Sequence, residues 1–312
     1  MPPSPPRSSP QDQANPIASN TPEEVDSDSV TTASIETFPD DWRLNPTIPK
    51  ELKRRDRTSF RDEWPPPPPI KYTIEPLQSP TTRNDLSPDW EVYTHFDGRF
   101  FFYHQEKRVL TEAWLHDEQE MDKIKTCIHA LEQLEGVYGS PPPNSQLVLE
   151  LEPDEIHDWH CWYYYADPQS RNIFWYHHNE MGFDPPKVGG GDIEMHAAQF
   201  LQREYWRHFE YFYSVQTVEK QVLDELYAFF RYADTDVKTS TDSTHSTIPY
   251  RLPGELEYWQ RQINAARESF ERHEGGLPWI VGRAMYCMCE YHHLNRYGER
   301  IKIVEQGPKS RQ

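Results

Sequence analysis

Histidine and cysteine gather at two places in the sequence, and both invite a metal. His157, His160, Cys161, His177 and His178 surround one aromatic stretch, and Cys287-Met288-Cys289 precedes His292-His293. Zinc sites are built from paired ligands at tight, repeated spacing. Neither group has a matching second pair, and helical residues two apart point in different directions. The reading is no metal and no cofactor. Gly189-Gly190-Gly191-Asp192 before a helix lacks the further glycines and lysine of a phosphate loop, and Asp192 suits an N-cap that would repel phosphate. The acid run Glu150-Leu151-Glu152-Pro153-Asp154-Glu155 offers carboxylates, but spacing alone does not bring two of them together. With no nucleophile elbow, zinc-protease pair or kinase signature, the chain reads as no enzyme.

Binding chemistry is better represented. Phe100-Phe101-Phe102-Tyr103 follows a turn at Asp97-Gly98, and strand alternation puts Phe101 and Tyr103 on one face with Phe100 and Phe102 on the other. Phe102 can then meet Trp90 and close a miniature core. Phe101, Tyr103 and Trp114 are left open on the opposite face, with Gln105 or Thr111 supplying a polar contact. A flat aromatic pair of this kind suits a polyproline II helix, whose rings slot between aromatic planes at little entropic cost.

The elements that must position these rings can be read along the chain. Of 312 residues 36 % are hydrophobic, and eighteen of the 29 prolines precede Trp90. Residues 1–85 therefore read as a disordered Pro-rich region, too poor in apolar groups to offset ordering. Within it lie the basic cluster Lys50 to Arg57, read as solvated charge, and Trp64 followed by Pro65, Pro66, Pro67, Pro68 and Pro69. That proline tract can only be polyproline II. It is joined to Trp90 by about 20 residues with a typical span of about 25 Å, so it is a candidate ligand for the groove in cis.

From Leu86 the texture changes to three short strands, about 90–95, 99–104 and 109–113. A helix follows over 115–136, carried by Met121, Ile124, Ile128, Leu131 and Leu134 and stopped at Gly136. The SPPPNS stretch at 140–145 is a linker. A second β segment runs through 146–151, 161–166 and 173–177. Helical spacing returns over 193–213, 217–232, 254–273 and 278–297, with a polar loop at 233–248.

Residues Leu86 to Trp114 resemble the WW domain, a family of small three-stranded sheets that bind proline-rich peptides. Leu86 and Trp90-Glu91 match its opening, Asp97-Gly98-Arg99 its first turn, Phe101-Phe102-Tyr103 its central aromatic block and Trp114 its closing tryptophan. The tryptophans stand further apart than is usual, Ala113 replaces a threonine, and no proline follows Trp114. The resemblance implies peptide binding through Phe101, Tyr103, Gln105, Thr111 and Trp114, with Trp90 and Phe102 structural. Tyr164-Tyr165, Asp167 and Trp175 look like a degenerate second copy. The order of parts also resembles uncharacterised WW-domain proteins of mushroom-forming fungi, through Asn172 to Trp175 and Glu204 to Phe212. No activity comes with that likeness.

The expected architecture is α+β: a disordered region (1–85), a small three-stranded antiparallel WW domain (86–116), a helix and linker (117–145), a second degenerate WW-like sheet (146–180), a mostly helical part (190–300) and a flexible tail (301–312). The net charge of 32 − 51 = −19 argues against nucleic acid and anionic membranes as partners. The sequence has four scattered cysteines, no apolar leader and no long apolar run, so the expectation is an intracellular protein, cytoplasmic or nuclear. Its expected partners are proline-rich protein segments. Its oligomeric state stays open, and so do two alternatives: a purely structural role for the WW-like sheet, and an enzyme or metal-binding protein of unknown class.

Overall fold

A computed structural model of the chain describes residues 43–52, 86–95, 98–154, 158–179, 193–239, 253–272 and 277–294. Pro65 to Pro69, Asp97, His157 and the glycine run at 189–191 lie outside these residues. The described residues all fall in one compact unit, Phe38–Gln312.

The architecture of the described residues is α+β, with seven strands and five α-helices among them. The strands are β1 (Leu44–Pro46), β2 (Trp90–Thr94), β3 (Phe100–His104), β4 (Val109–Thr111), β5 (Gln146–Asp154), β6 (Asp158–Asp167) and β7 (Asn172–Phe174). The helices are α1 (Glu118–Tyr138), α2 (Ile193–Tyr211), α3 (Lys220–Thr239), α4 (Pro253–Glu271) and α5 (Leu277–Leu294). Two antiparallel triplets, β2-β3-β4 and β5-β6-β7, stand where the sequence places them. They are not separate sheets. β4 pairs in parallel with β5 (Val109 with Leu147, Leu110 with Val148, Thr111 with Leu149), which fuses them into one seven-stranded sheet. α1 is the crossover that parallel neighbours require.

The two faces of this sheet feed two cores, and side-chain alternation assigns residues to each. Phe102, Val109, Leu147, Leu149, Tyr163 and Tyr165 pack with α1. Their neighbours Phe101, Leu110, Val148, Tyr164 and Ala166 pack with the helical bundle. The run Tyr163-Tyr164-Tyr165 is buried throughout because consecutive rings enter opposite cores. α1 begins at Asp117, whose carboxylate accepts from the Gln119 amide at 2.8 Å. It ends at Gly139, not Gly136: Gly139 adopts φ +94° and returns its N–H to the Glu135 carbonyl, a conformation suited to a residue without Cβ.

Residues 43–52 belong to the fold rather than to a disordered head. β1 pairs in parallel with β6, the Thr47 amide donates to the Tyr163 carbonyl at 3.0 Å, and the Trp175 indole donates to the Thr47 carbonyl at 2.7 Å. Ile48 and Leu52 then enter the bundle core. α3 runs to Thr239, into the stretch expected to be a loop, because Phe230 and Ala233 keep it packed in that core.

Candidate functional site

The rings expected to line one groove are divided between the two faces of the sheet. Phe101 is 0 % exposed. It lies on the bundle side, stacked on Tyr93 (5.3 Å, 12°) and met edge-on by Phe212 at the end of α2 (5.2 Å, 80°). Rings of the same chain therefore fill the space beside it. Tyr103 is half-buried next to Tyr93, at 6.4 Å. Gln105 is exposed and donates to Glu91 at 2.5 Å. The Tyr93 hydroxyl donates to the same carboxylate at 2.7 Å, and these two donors hold the Glu91 carboxyl below its ordinary range. Thr111 is buried, and its hydroxyl accepts from the Ala113 amide at 3.1 Å, so it shapes the chain locally. Trp90 and Phe102 are buried on the α1 side.

Trp114 is 43 % exposed, but it belongs to the other face. β4 ends at Thr111, so alternation no longer governs the tryptophan. Ala113 is tucked into the core, and the Trp114 amide is held by the Glu120 carboxylate from the first turn of α1. The indole lies against Phe100 (4.8 Å, 53°), with Phe102 beneath at 6.0 Å and His116 beside it at 4.6 Å. Phe100 is itself 38 % exposed, and Val92 on the neighbouring strand is also open. The result is an aromatic ledge on a rigid, well-packed sheet. Alternation pairs Phe100 with Phe102, which is the signal that placed Phe100 on this face. Nothing in the sequence placed Trp114 beside it.

A second feature lies on the bundle side. A cleft of about 950 Å³ opens between the start of β5, the β6–β7 turn and the chain linking α2 to α3. Its apolar wall includes Trp206 and Phe209, and its polar lining includes Arg108, Gln146, Arg171 and Gln216. Arg108 and Arg171 occupy matching hairpin turns, each with φ 54°, so the two triplets share a turn as well as a strand order. Behind the cleft His208 is fully buried, with Nδ1 3.1 Å from the Tyr164 hydroxyl and Nε2 2.7 Å from Gln146 Oε1. Gln216 donates to that same oxygen at 2.8 Å. No motif announces this set, because Gln146, His208 and Gln216 come from distant parts of the chain.

The histidines and cysteines first considered for a metal are dispersed into other contacts. His160 pairs with Glu152 at 3.1 Å, and His177 meets the Tyr163 hydroxyl at 2.5 Å. Cys161 and Cys289 are buried, and burial pushes both thiols up. His293 stacks on His196 at 4.0 Å. Among the described residues no three His, Cys, Asp or Glu side chains are grouped to hold an ion, and no helix is long and apolar enough to cross a membrane.

No family model, curated protein or solved structure matches the chain.

Proposed function

We propose that this chain is a non-enzymatic interaction protein that takes a proline-rich segment, in polyproline II form, on the ledge made by Phe100 and Trp114. The observation that supports this reading is the geometry of the two rings, with centroids 4.8 Å apart, planes tilted by 53° and both open to solvent. Proline rings pack against such tilted aromatic pairs, and the indole N–H of Trp114 and the imidazole of His116 offer polar contacts to carbonyls of the ligand. The ledge replaces the groove of Phe101, Tyr103 and Trp114, since Phe101 is sealed. Four free cysteines accord with a reducing compartment, cytoplasm or nucleus.

A second reading, in which the WW-like strands are only a packing element, draws support from the complete burial of Phe101 and from the parallel β4–β5 pairing. Titration of full-length protein with proline-rich peptides, followed by tryptophan fluorescence, separates the two. The binding reading expects saturation that Trp114→Ala abolishes while the far-ultraviolet dichroism is unchanged. An unaltered signal at millimolar peptide leaves the packing reading standing.

A further inference from the structure

The ledge of Phe100 and Trp114 is open to solvent, and the chain that enters the fold beside it carries a segment of matching chemistry. Pro65 to Pro69 form the longest proline run of the sequence. At 3.1 Å per residue, a run of that length in polyproline II form is about 15 Å long, enough to lie across both rings. The expected groove is sealed at Phe101, which leaves the ledge as the aromatic surface to receive it.

The point at which the chain re-enters the described structure decides which surface the tract meets. Residues 70–85 join it to Leu86, which packs on the α1-side core, the face of the sheet that carries the ledge. A turn closed by the Trp90 amide on the Ser87 carbonyl, at 3.0 Å, leads from Leu86 into β2. Trp90 is four residues from Thr94, the partner of Phe100, or about 13 Å at strand rise. A connection of about sixteen residues has a typical span of about 20–24 Å, which matches that separation with the turn included. The other end is within reach too. Leu52 enters the bundle core beyond β1, at the opposite edge of the sheet from β2, about five strand spacings or 24 Å away. Residues 53–64 can cover up to about 40 Å.

Two further observations favour this segment. Pro141 to Pro143, the other run of three or more, follow α1, whose 21 residues carry them about 30 Å from its start beside the ledge. There they line a separate pocket with Leu131 and Tyr165. Charge agrees as well. The whole chain stands at −19, yet residues 53–85 hold seven lysines and arginines against five acids. Asp117, Glu118 and Glu120 follow the ledge at the start of α1, so this segment is drawn there rather than repelled. Resting on the ledge reading, we propose that Pro65 to Pro69 of the same chain occupy the surface of Phe100 and Trp114, and that an outside proline-rich segment binds by displacing them.

An effective concentration on the order of millimolar, against roughly 0.1 mM for a short weak ligand, leaves the ledge free about one-tenth of the time, and outside binding weakens by that fraction. The test titrates acetyl-decaproline amide into full-length protein by calorimetry, comparing the wild type with a variant in which Pro65 to Pro69 are all replaced by serine. Fluorotryptophan labelling follows Trp114 by fluorine NMR, its resonance assigned by loss in Trp114→Ala. Replacing the tract should tighten decaproline binding about tenfold and move the Trp114 resonance to the same extent at every protein concentration. Adding Trp114→Ala to the tract variant should abolish binding. Equal affinity in wild type and tract variant, or an unmoved resonance, overturns the cis occupancy while the ledge reading stands. A shift that grows with protein concentration assigns the ledge to the tract of a second copy and overturns it as well. Absence of saturable binding to the tract variant at millimolar decaproline removes the ledge reading and the cis occupancy together.

Discussion

Phe212, the first residue beyond α2, meets the ring of Phe101 edge-on at 5.2 Å and so closes the face of β3 that alternation leaves apolar. The contact is a packing relation inside a core, and it has an energetic consequence. Phe101→Ala should cost about 3–5 kcal/mol of stability, the usual price of emptying a fully buried aromatic site. Trp114→Ala, at a half-open ring, should cost about 1 kcal/mol. Urea denaturation of the two variants checks the difference, and equal losses would mean that Phe101 is not the better packed of the two.

How much of this was legible in the sequence follows from the same pair of rings. Alternation, aromatic runs and turn signals together located β2 to β7, and alternation separated Phe101 from Phe102. It could not say which apolar face is groove and which is core, because both require bare aromatic side chains. The parallel pairing of Val109 with Leu147 depends on α1 folding back, a non-local event with no local sequence signal. β1 was missed for a different reason: Leu44-Asn45-Pro46 is too short to alternate and sits among prolines, yet its partner β6 has a free edge that accepts it. Trp114 lies past the end of β4, where strand periodicity ceases to predict direction.

Helix α5 crosses α2 closely at Gly282. A Cβ added there would stand 2.9 Å from both the Cα and the N of Glu210, which are backbone atoms and cannot step aside. Gly282→Ala should therefore destabilise by about 1–3 kcal/mol through forced separation of the helices. Gly136 supplies the control: it is inside α1, a Cβ would meet nothing within 4 Å, and Gly136→Ala should gain roughly 0.5–1 kcal/mol from helix propensity. Thermal melts of both variants test the contrast, and a Gly282→Ala protein as stable as wild type would rule out the tight crossing.

Tyrosine titration gives a prediction about alkaline pH. Burial, then the Glu91 carboxylate, pushes Tyr93 up to about 12, and burial with Glu135 pushes Tyr176 up to about 12. Tyr165 and Tyr205 are raised as well, chiefly by burial. Each group ionises near 10.0 when unfolded, so above that pH the unfolded chain binds fewer protons than the folded one, and stability falls as pH rises toward the folded values. Below pH 10 these groups contribute no slope. The tyrosinate absorbance should show an early phase from exposed tyrosines and a late phase coincident with loss of dichroism. A single early phase with the fold intact would contradict the burial of these rings.

The segment 43–52 is held to α2 through Glu204, a carboxylate with no exposure to solvent. It accepts from the Lys50 amide at 3.1 Å and lies 3.2 Å from Arg203 Nη2 and 3.4 Å from Arg207 Nε. Those two cations offset the cost of burying its charge, and Glu204 raises the already high proton affinity of Arg207 against the opposing effect of burial. Glu204→Gln keeps the size and a carbonyl acceptor but leaves two guanidinium groups without their counter-charge. Glu204→Ala also removes the acceptor. Both should destabilise the protein, by about 3–5 kcal/mol for the alanine variant, since breaking a buried pair strands the remaining charge. Native-state hydrogen exchange read at the Lys50 amide separates the local effect from the global one. In Glu204→Ala the amide should lose protection beyond the change in overall stability, whereas in Glu204→Gln it should track that stability. Equal protection relative to global stability in both variants would show that β1 and the turn after it are held by the Thr47 contacts alone.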